Sequence, residues 1–221
     1  MTAGARTGDT SPASDRAGRH RFAVDLGPLA VLLPVKSFDE AKRRLAPALA
    51  PAERARLARA MATSVVSSAA PLPVAVVCDD ADVAAWARDL GALVVWEPER
   101  GLNRAVEAGV ERLGAAGARR VIVAHADLPL ARDLRWVGRF AGVTLVPDRR
   151  GGGTNAICVP TGAGFTFSYG PGSFARHGAE THRLGLALRV VREPSLAADV
   201  DVPTDLGLVA SLFSPNPAVS R

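Results

Sequence analysis

Lysine is almost missing from this chain. Of its 27 basic residues only Lys36 and Lys42 are lysines; the other 25 are arginine. Cysteine is equally scarce, with Cys78 and Cys158 alone. Two cysteines exclude a disulfide framework, and they have no metal-ligand spacing. Each lies in an apolar run, Val76-Val77-Cys78 and Ala156-Ile157-Cys158-Val159, so both read as inert buried thiols. The four histidines, His20, His125, His177 and His182, form neither HxxxH nor HExxH, and His177 and His182 read as surface residues. Aromatic residues make up 5%, which argues against a base-stacking platform for nucleic acid. No apolar run approaches the roughly 18 residues of a membrane span. The first 20 residues lack the apolar core of a signal peptide, so the expected setting is cytoplasmic. Three common fingerprints are also missing. Without G-x-x-x-x-G-K-[ST] the chain is no P-loop nucleotidase, and with P-V-K after the first strand it is no dinucleotide dehydrogenase. It has no G-x-S-x-G elbow of an α/β-hydrolase either.

What is present is an ordinary globular composition: 221 residues, 48% hydrophobic, 22% charged, net charge +5. That length suits one large domain or two small ones. Residues 1–26 are small and polar without periodicity and read as a disordered tail; 27–213 read as one domain, and 214–221 as a frayed end. Leu29-Ala30-Val31-Leu32-Leu33 is wholly apolar and closed by Pro34, the pattern of a strand buried on both faces. Further strands are expected at 74–78, 93–95, 120–124, 143–146, 155–159 and 186–191. Helices are expected from Pro51, over 82–90, 102–113 with Gly114 beyond its end, 132–140, 174–184 and 204–212. Strands alternating with helices define an α/β three-layer fold with a mostly parallel sheet.

In such a sheet, ligands bind beyond the carboxyl ends of the strands. The first strand runs into Pro34-Val35-Lys36-Ser37-Phe38-Asp39-Glu40-Ala41-Lys42. Here Ser37 and Glu40 fit a capping box that opens a helix stopped by Pro47, and the turn reads as a polyphosphate grip. For the lysines alone a solvated helix face is an equal alternative. After the second strand come Asp79 and Asp80, after the fourth His125-Ala126-Asp127-Leu128-Pro129 and after the last Asp199-Val200-Asp201. Asp199 and Asp201, two apart in extended chain, share a side. Three carboxylates without Cys or His partners suit a hard cation, and Mg²⁺ bridging phosphates is the usual case. The run Gly151-Gly152-Gly153-Thr154-Asn155 offers amides able to nest an anion. Gly170-Pro171-Gly172-Ser173 leads into a helix with Ser173 as N-cap, a second anion site to which Arg176 adds charge. Asn103, opening another helix, is placed to read a base or ribose, and Tyr169 reads as loop packing.

These segments together carry a resemblance: L-P-V-K and A-K-x-R-L within 33–45, C-D-D at 78–80, G-L-N at 101–103, A-D-L-P at 126–129, P-D-R-x-G-x-G-T-N at 147–155, F-x-x-G-P-G-S-F-x-x-H at 167–177 and D-V-D-x-P-x-D-L at 199–206. The chain resembles the 2-phospho-L-lactate / phosphoenolpyruvate guanylyltransferases of coenzyme F-420 biosynthesis. The resemblance implies a nucleotide-diphospho-sugar transferase fold of the glycosyltransferase-A type. It also implies a reaction in which GTP and a phosphorylated three-carbon acid give a guanylated diphosphate diester and pyrophosphate. Carried over, the metal-binding aspartates fall on Asp127, Asp199 and Asp201. The phosphoenolpyruvate contacts fall on Thr154, Gly170 and Ser173, while Lys36 and Lys42 face the GTP phosphates beside Asp79 and Asn103. His125 departs from the small or proline residue expected before A-D-L-P. The open alternatives are another nucleotidyltransferase of the fold, acting on 3-phosphoglycerate, a sugar phosphate or a molybdopterin, and a non-catalytic GTP-binding module. Monomer and homodimer are both open.

Overall fold

The computed structural model describes residues 26–98 and 101–209. The tails expected at 1–26 and 214–221 lie outside these residues apart from Leu26, which is buried in the core. Strand β1, Leu29–Pro34, holds Ala30, Val31, Leu32 and Leu33 wholly out of water. Its alternate residues point to opposite faces, Val31 and Leu33 into one apolar layer and Ala30 and Leu32 into the other. An all-apolar sequence therefore sits at the centre of the sheet, where both faces are covered.

Six more strands follow: β2 Val74–Cys78, β3 Leu93–Trp96, β4 Arg120–Ala124, β5 Val143–Pro147, β6 Thr154–Pro160 and β7 Leu188–Val190. Their order is β3-β2-β1-β4-β6-β5-β7. β6 alone runs against its neighbours β4 and β5; every other pairing is parallel. The chain thus winds outward from β1 to β3, then crosses to the other side of β1, so the order reverses between β1 and β4. Helices α1 (Pro51–Ser68) and α2 (Ala81–Asp89) cover the Val31/Leu33 face. Helices α3 (Leu102–Ala115) and α4 (Ser173–Arg183) cover the other, and a short α5 spans Pro194–Ala197. On α1, Pro51 occupies the first turn, the Glu53 carboxylate accepts the Ala50 N–H at 2.7 Å, and Leu57, Met61 and Val65 form the buried stripe. Helix α3 packs close: a side chain at Gly109 would meet Leu32 Cδ2 at 2.5 Å.

Four expected helices differ from those observed. No α-helix starts at Ser37. The chain instead makes turns and one 3-10 turn over Arg43–Leu45, because Lys42 sits at φ 54°, ψ 39°, a left-handed conformation an α-helix cannot pass through. The helix expected over 132–140 shrinks to a 3-10 turn at Arg135–Gly138. There the Asp133 carboxylate takes the Arg135 N–H at 2.9 Å, and the Arg120 guanidinium donates to the Gly138 carbonyl at 2.6 Å. Helix α3 continues through Gly114 to Ala115, and Gly117, at φ 101°, marks the turn beyond its end. The segment expected as a closing helix is a 3-10 turn at Pro203–Val209 as far as it is described.

Candidate active site

The carboxyl ends of β1 and β4 meet where the strand order reverses, and the lysine turn and Asp127 converge there. The Lys42 ammonium lies 2.6 Å from Asp127 Oδ2 and 3.2 Å from Asp201 Oδ1. Its side chain is 11% exposed, against 21% for Asp127 and 37% for Asp201. Burial alone would lower the Lys42 pKa, but the charges of Asp127 and Asp201 outweigh it and raise the pKa. For Asp127 burial pushes the carboxyl upward, and the facing ammonium outweighs it and holds it below the usual carboxylate range. Both groups are therefore charged at neutral pH. Arg44 approaches the other oxygen of Asp201 at 3.9 Å.

A small apolar knot explains how distant segments reach this point. Leu45, three residues after Lys42, and Val200, between Asp199 and Asp201, are both fully buried with Leu57, Met61 and Val209. The lysine turn and the aspartate turn thus share one anchor under α1. Asp205 then shapes the aspartate turn. Its Oδ2 accepts the Asp201 and Val202 N–H groups at 2.9 and 3.0 Å, and its Oδ1 accepts from Arg149 at 2.8 Å. Arg149 also donates to the Asp199 carbonyl at 3.1 Å. Burial works against the Asp205 charge, but these donors win and hold its pKa down to about 2. In the sequence Asp205 is only the second-to-last residue of D-V-D-x-P-x-D-L, with nothing local to mark it as a brace.

Asp199 faces Asn155 Nδ2 at 3.5 Å. Burial pushes its pKa up, and the neighbouring charges of Asp127 and Asp201 push the same way. The three aspartates are thus electrostatic neighbours. Among the described residues, no three acidic, His or Cys side chains form a ready cage for one ion. Lys42 holds Asp127 Oδ2 and Asp201 Oδ1, while Asp127 Oδ1 is buried with no hydrogen-bond partner. That orphan oxygen, with the partly exposed Asp199 and Asp201, fits Mg²⁺, which is commonly held by one or two carboxylates plus substrate phosphates.

Beside this cluster lies a cavity of about 380 Å³ lined by Lys36, Ser37, Cys78, Asp79, Asp80, Glu97, Gly101 and Leu102. Lys36 and Asp79 are exposed at it. Asp80 is otherwise engaged, since its Oδ1 accepts the Asp82 and Val83 N–H groups at 3.0 Å each and caps α2. Asn103 does not line this cavity: its Oδ1 accepts the Tyr169 N–H at 2.7 Å. The expected reading of base or ribose thus gives way, for that oxygen, to holding a loop. A second, more apolar cavity of about 300 Å³ adjoins the first through Pro34, Val35, Lys36 and Leu102 and reaches Lys42, His125 and Asp127. Cys78 and Cys158 are free and buried as expected, and burial pushes both thiols up, Cys158 to about 11.

The third corner is built by β6 and α4. Because β6 is antiparallel, its first residue, Thr154, lies at the edge where the parallel strands end. Thr154 and Ser173 are buried, with Ser173 Oγ 3.4 Å from Thr154 Oγ1, and Gly170, three residues before Ser173, has φ 113°. Ser173 is not the N-cap of α4; Gly172 is, at φ 77°, where the left-handed backbone favours glycine. The glycine run does not offer an empty nest either. The Asp148 carboxylate already accepts the Gly152 and Gly153 N–H groups at 3.0 and 2.8 Å. Arg176 donates to the carbonyls of Ser168, at 2.9 Å, and Pro171, at 2.6 Å, so its charge staples the loop. His182 is exposed as expected, but His177 is wholly buried.

A sheet of this order with its charged cluster at the β1/β4 reversal defines a nucleotidyltransferase-type fold. A crystal structure from Desulfovibrio desulfuricans G20, assigned as a nucleotide-diphospho-sugar transferase, superposes with a TM-score of 0.66 at 17% identity, covering 82% of this chain and 86% of that one. A nucleotidyl transferase from Methanothermobacter gives 0.55 at 15% identity, covering 84% and 97%. The family model described as "Guanylyl transferase CofC like" matches residues 29–211. The chain belongs to this guanylyltransferase family. It is 37% identical to the phosphoenolpyruvate guanylyltransferase of Conexibacter woesei over 83% of this chain and 87% of that protein. The phosphoenolpyruvate guanylyltransferase of Thermomonospora curvata is 40% identical, covering 82% and 83%. The 2-phospho-L-lactate guanylyltransferase of Halorubrum lacusprofundi is 37% identical, covering 80% and 81%.

Proposed function

We propose that this protein transfers GMP from GTP to a phosphorylated three-carbon acid, phosphoenolpyruvate or 2-phospho-L-lactate, releasing pyrophosphate in coenzyme F-420 biosynthesis. The observation that carries the reading is the charged knot of Lys42, Asp127 and Asp201, with the partnerless Asp127 Oδ1, at the β1/β4 reversal. GTP lies in the 380 Å³ cavity, with Lys36 and Asp79 at its mouth. The acid lies against Thr154, Gly170 and Ser173, on the adjoining strand and loop. These placements rest on the family resemblance and on the fit of charge. We place the reaction in the cytoplasm, where such phosphorylated metabolites occur; among the described residues no helix is long and apolar enough to cross a membrane.

The chemistry asks little of a general base. The acid's phosphate is already ionised at neutral pH, so one of its oxygens attacks the α-phosphorus of GTP directly. The new P–O bond forms as the bond to the β-phosphate bridging oxygen breaks, and pyrophosphate carries the electron pair away. What the chain supplies is position and counter-charge. Lys36 and Lys42 neutralise the phosphates, and the Asp205–Arg149 brace keeps the aspartate turn in place. Asp127, whose Oδ1 has no partner, together with Asp199 and Asp201 would hold Mg²⁺, which would supply charge neutralisation for the phosphates.

The test is mass spectrometry of products from GTP, Mg²⁺ and an equimolar mixture of phosphoenolpyruvate, 2-phospho-L-lactate and 3-phosphoglycerate. Guanylation of either of the first two supports the reading. Pyrophosphate release independent of any acid, or near-normal turnover by Asp127→Ala, sinks it.

A further inference from the structure

His177 sits on α4 one helical turn after Ser173, fully buried among Phe165, Phe167 and Tyr169. Its Nε2 lies 3.0 Å from the backbone nitrogen of Ser168. An amide N–H can only donate, so Nε2 accepts and carries no proton. The ring proton is therefore on Nδ1, which lies 3.0 Å from Thr154 Oγ1. Desolvation by burial, which drops the ring pKa to about 4, keeps this neutral tautomer in place at physiological pH.

The polarity of the corner follows by counting. His177 contributes one N–H, and Thr154 and Ser173 contribute one O–H each. Two of these three hydrogens are used inside the cluster, one from His177 to Thr154 and one between Thr154 and Ser173. Among the described residues no acceptor takes the third, so one buried hydroxyl is left as a donor.

We propose that His177 is a positioning residue for the acid subsite, and that by fixing Thr154 as acceptor of its Nδ1–H it leaves the Thr154–Ser173 pair one unused hydroxyl hydrogen for an ionised oxygen of the ligand. The subsite thus takes a carboxylate or a phosphate and disfavours a neutral amide or alcohol donor. This assignment rests on the acid-binding role of Thr154 proposed above.

The experiment measures KM for GTP and for phosphoenolpyruvate separately in His177→Phe and His177→Asn. The phenylalanine keeps the aromatic packing and removes both ring nitrogens, whereas the asparagine keeps an N–H near the Nδ1 position. His177→Phe is expected to raise the acid's KM roughly tenfold and leave the KM for GTP within about twofold, as for one hydrogen bond to a charged group. His177→Asn is expected to recover most of that loss. In a Thr154→Val background His177→Phe is expected to add less than about a factor of two, because the effect runs through that hydroxyl. Equal losses toward both substrates, no recovery by asparagine, or additivity with Thr154→Val overturns the proposal. Pyruvate and methyl phosphate as competitive inhibitors separate the two anions: the one whose inhibition weakens in His177→Phe is the group held. If the wild-type protein guanylates neither acid, the proposed function has failed, and His177 is read directly from its ¹⁵N ring resonances. A protonated Nδ1 with phosphoenolpyruvate-dependent shifts supports the proposal, and a protonated Nε2 or a resonance indifferent to phosphoenolpyruvate overturns it. The resonances and the asparagine variant carry the test if His177→Phe does not fold.

Discussion

Lys42 and Asp127 are 85 residues apart in the chain and 2.6 Å apart at their charged atoms. Lys42 is also the one non-glycine among the described residues with positive φ. The strained backbone aims a compact ammonium into a gap between two carboxylates. A planar guanidinium is too wide for that gap, so Lys42→Arg is expected to lower kcat at least tenfold with charge preserved. Lys36→Arg, at an exposed site, is expected to act mainly through the KM for GTP, which steady-state kinetics separates.

Lys42→Met removes the counter-charge of a largely buried carboxylate, Asp127, whose Oδ1 is wholly enclosed. Losing one partner of such a pair costs about 3–5 kcal/mol. Mg²⁺ is expected to recover part of that loss, because a dication replaces the ammonium beside Asp127. Melting curves with and without Mg²⁺ check this; a variant whose Tm ignores the metal argues against Asp127 as a ligand.

Asp205 is a second structural charge. Asp205→Asn keeps the shape and loses the ion pair with Arg149, with an expected cost of about 1.5–3 kcal/mol in urea unfolding, the range for hydrogen bonds to a charged group. Because its carboxylate holds the Asp201 and Val202 amides, kcat is expected to fall as well.

The low pKa of His177 has a defined sign. The unfolded ring titrates near 6.5 and the folded ring near 4, so below about 6.5 the unfolded state binds the extra proton. Stability is complete above that point and falls as pH drops toward 4, by about 1.4 kcal/mol per unit and about 3 kcal/mol in all. Arg176 and His125 face the ring and strengthen the shift, and Glu180 opposes it. Chemical denaturation at pH 7 and pH 5 is expected to differ by about 2 kcal/mol from this group. His177→Phe removes that part of the slope; an unchanged slope assigns it elsewhere.

Asp148 closes the glycine loop on itself. A side chain at Gly153 would meet Asp148 Oδ2 at 2.6 Å, so Gly153→Ala and Asp148→Ala are expected to open the same two amides. Both are expected to raise the KM for the acid by displacing the adjoining Thr154, and a sulfate titration followed by amide shifts shows the freed nest.

The layered architecture was legible because buried parallel strands are short apolar runs that periodicity exposes directly. Asp127 was legible as a carboxylate just past a strand end, the edge where ligands bind in such sheets, whereas Asp199 and Asp201 lie beyond α5 and only the fold makes them its electrostatic neighbours. Other features depend on contacts no local pattern carries. The turn at Lys42 is set by Leu45 and Val200 meeting across the chain, and that overrode a good helix-start pattern at Ser37. The direction of β6 depends on its pairing with β4. His177 looked like a surface residue because its cover, the 165–169 loop, is not helical and leaves no periodicity. One signal was available: Ser173 and His177 are four apart on a helix and share a face.

The β4–β6 ladder also acts as a ruler. It pairs Ala124 with Ala156, and the His125 N–H donates to the Asn155 carbonyl at 2.9 Å, so Asp127 and Thr154 leave one short stretch of sheet in fixed step. A slip of one residue would carry Thr154 about 3.4 Å along the edge and turn its side chain to the other face. In the proposed arrangement of GTP and acid, the span between the two reactants is written in backbone register, and side chains around Thr154 can change which acid is accepted while the distance to the attacked phosphorus stays as the sheet sets it.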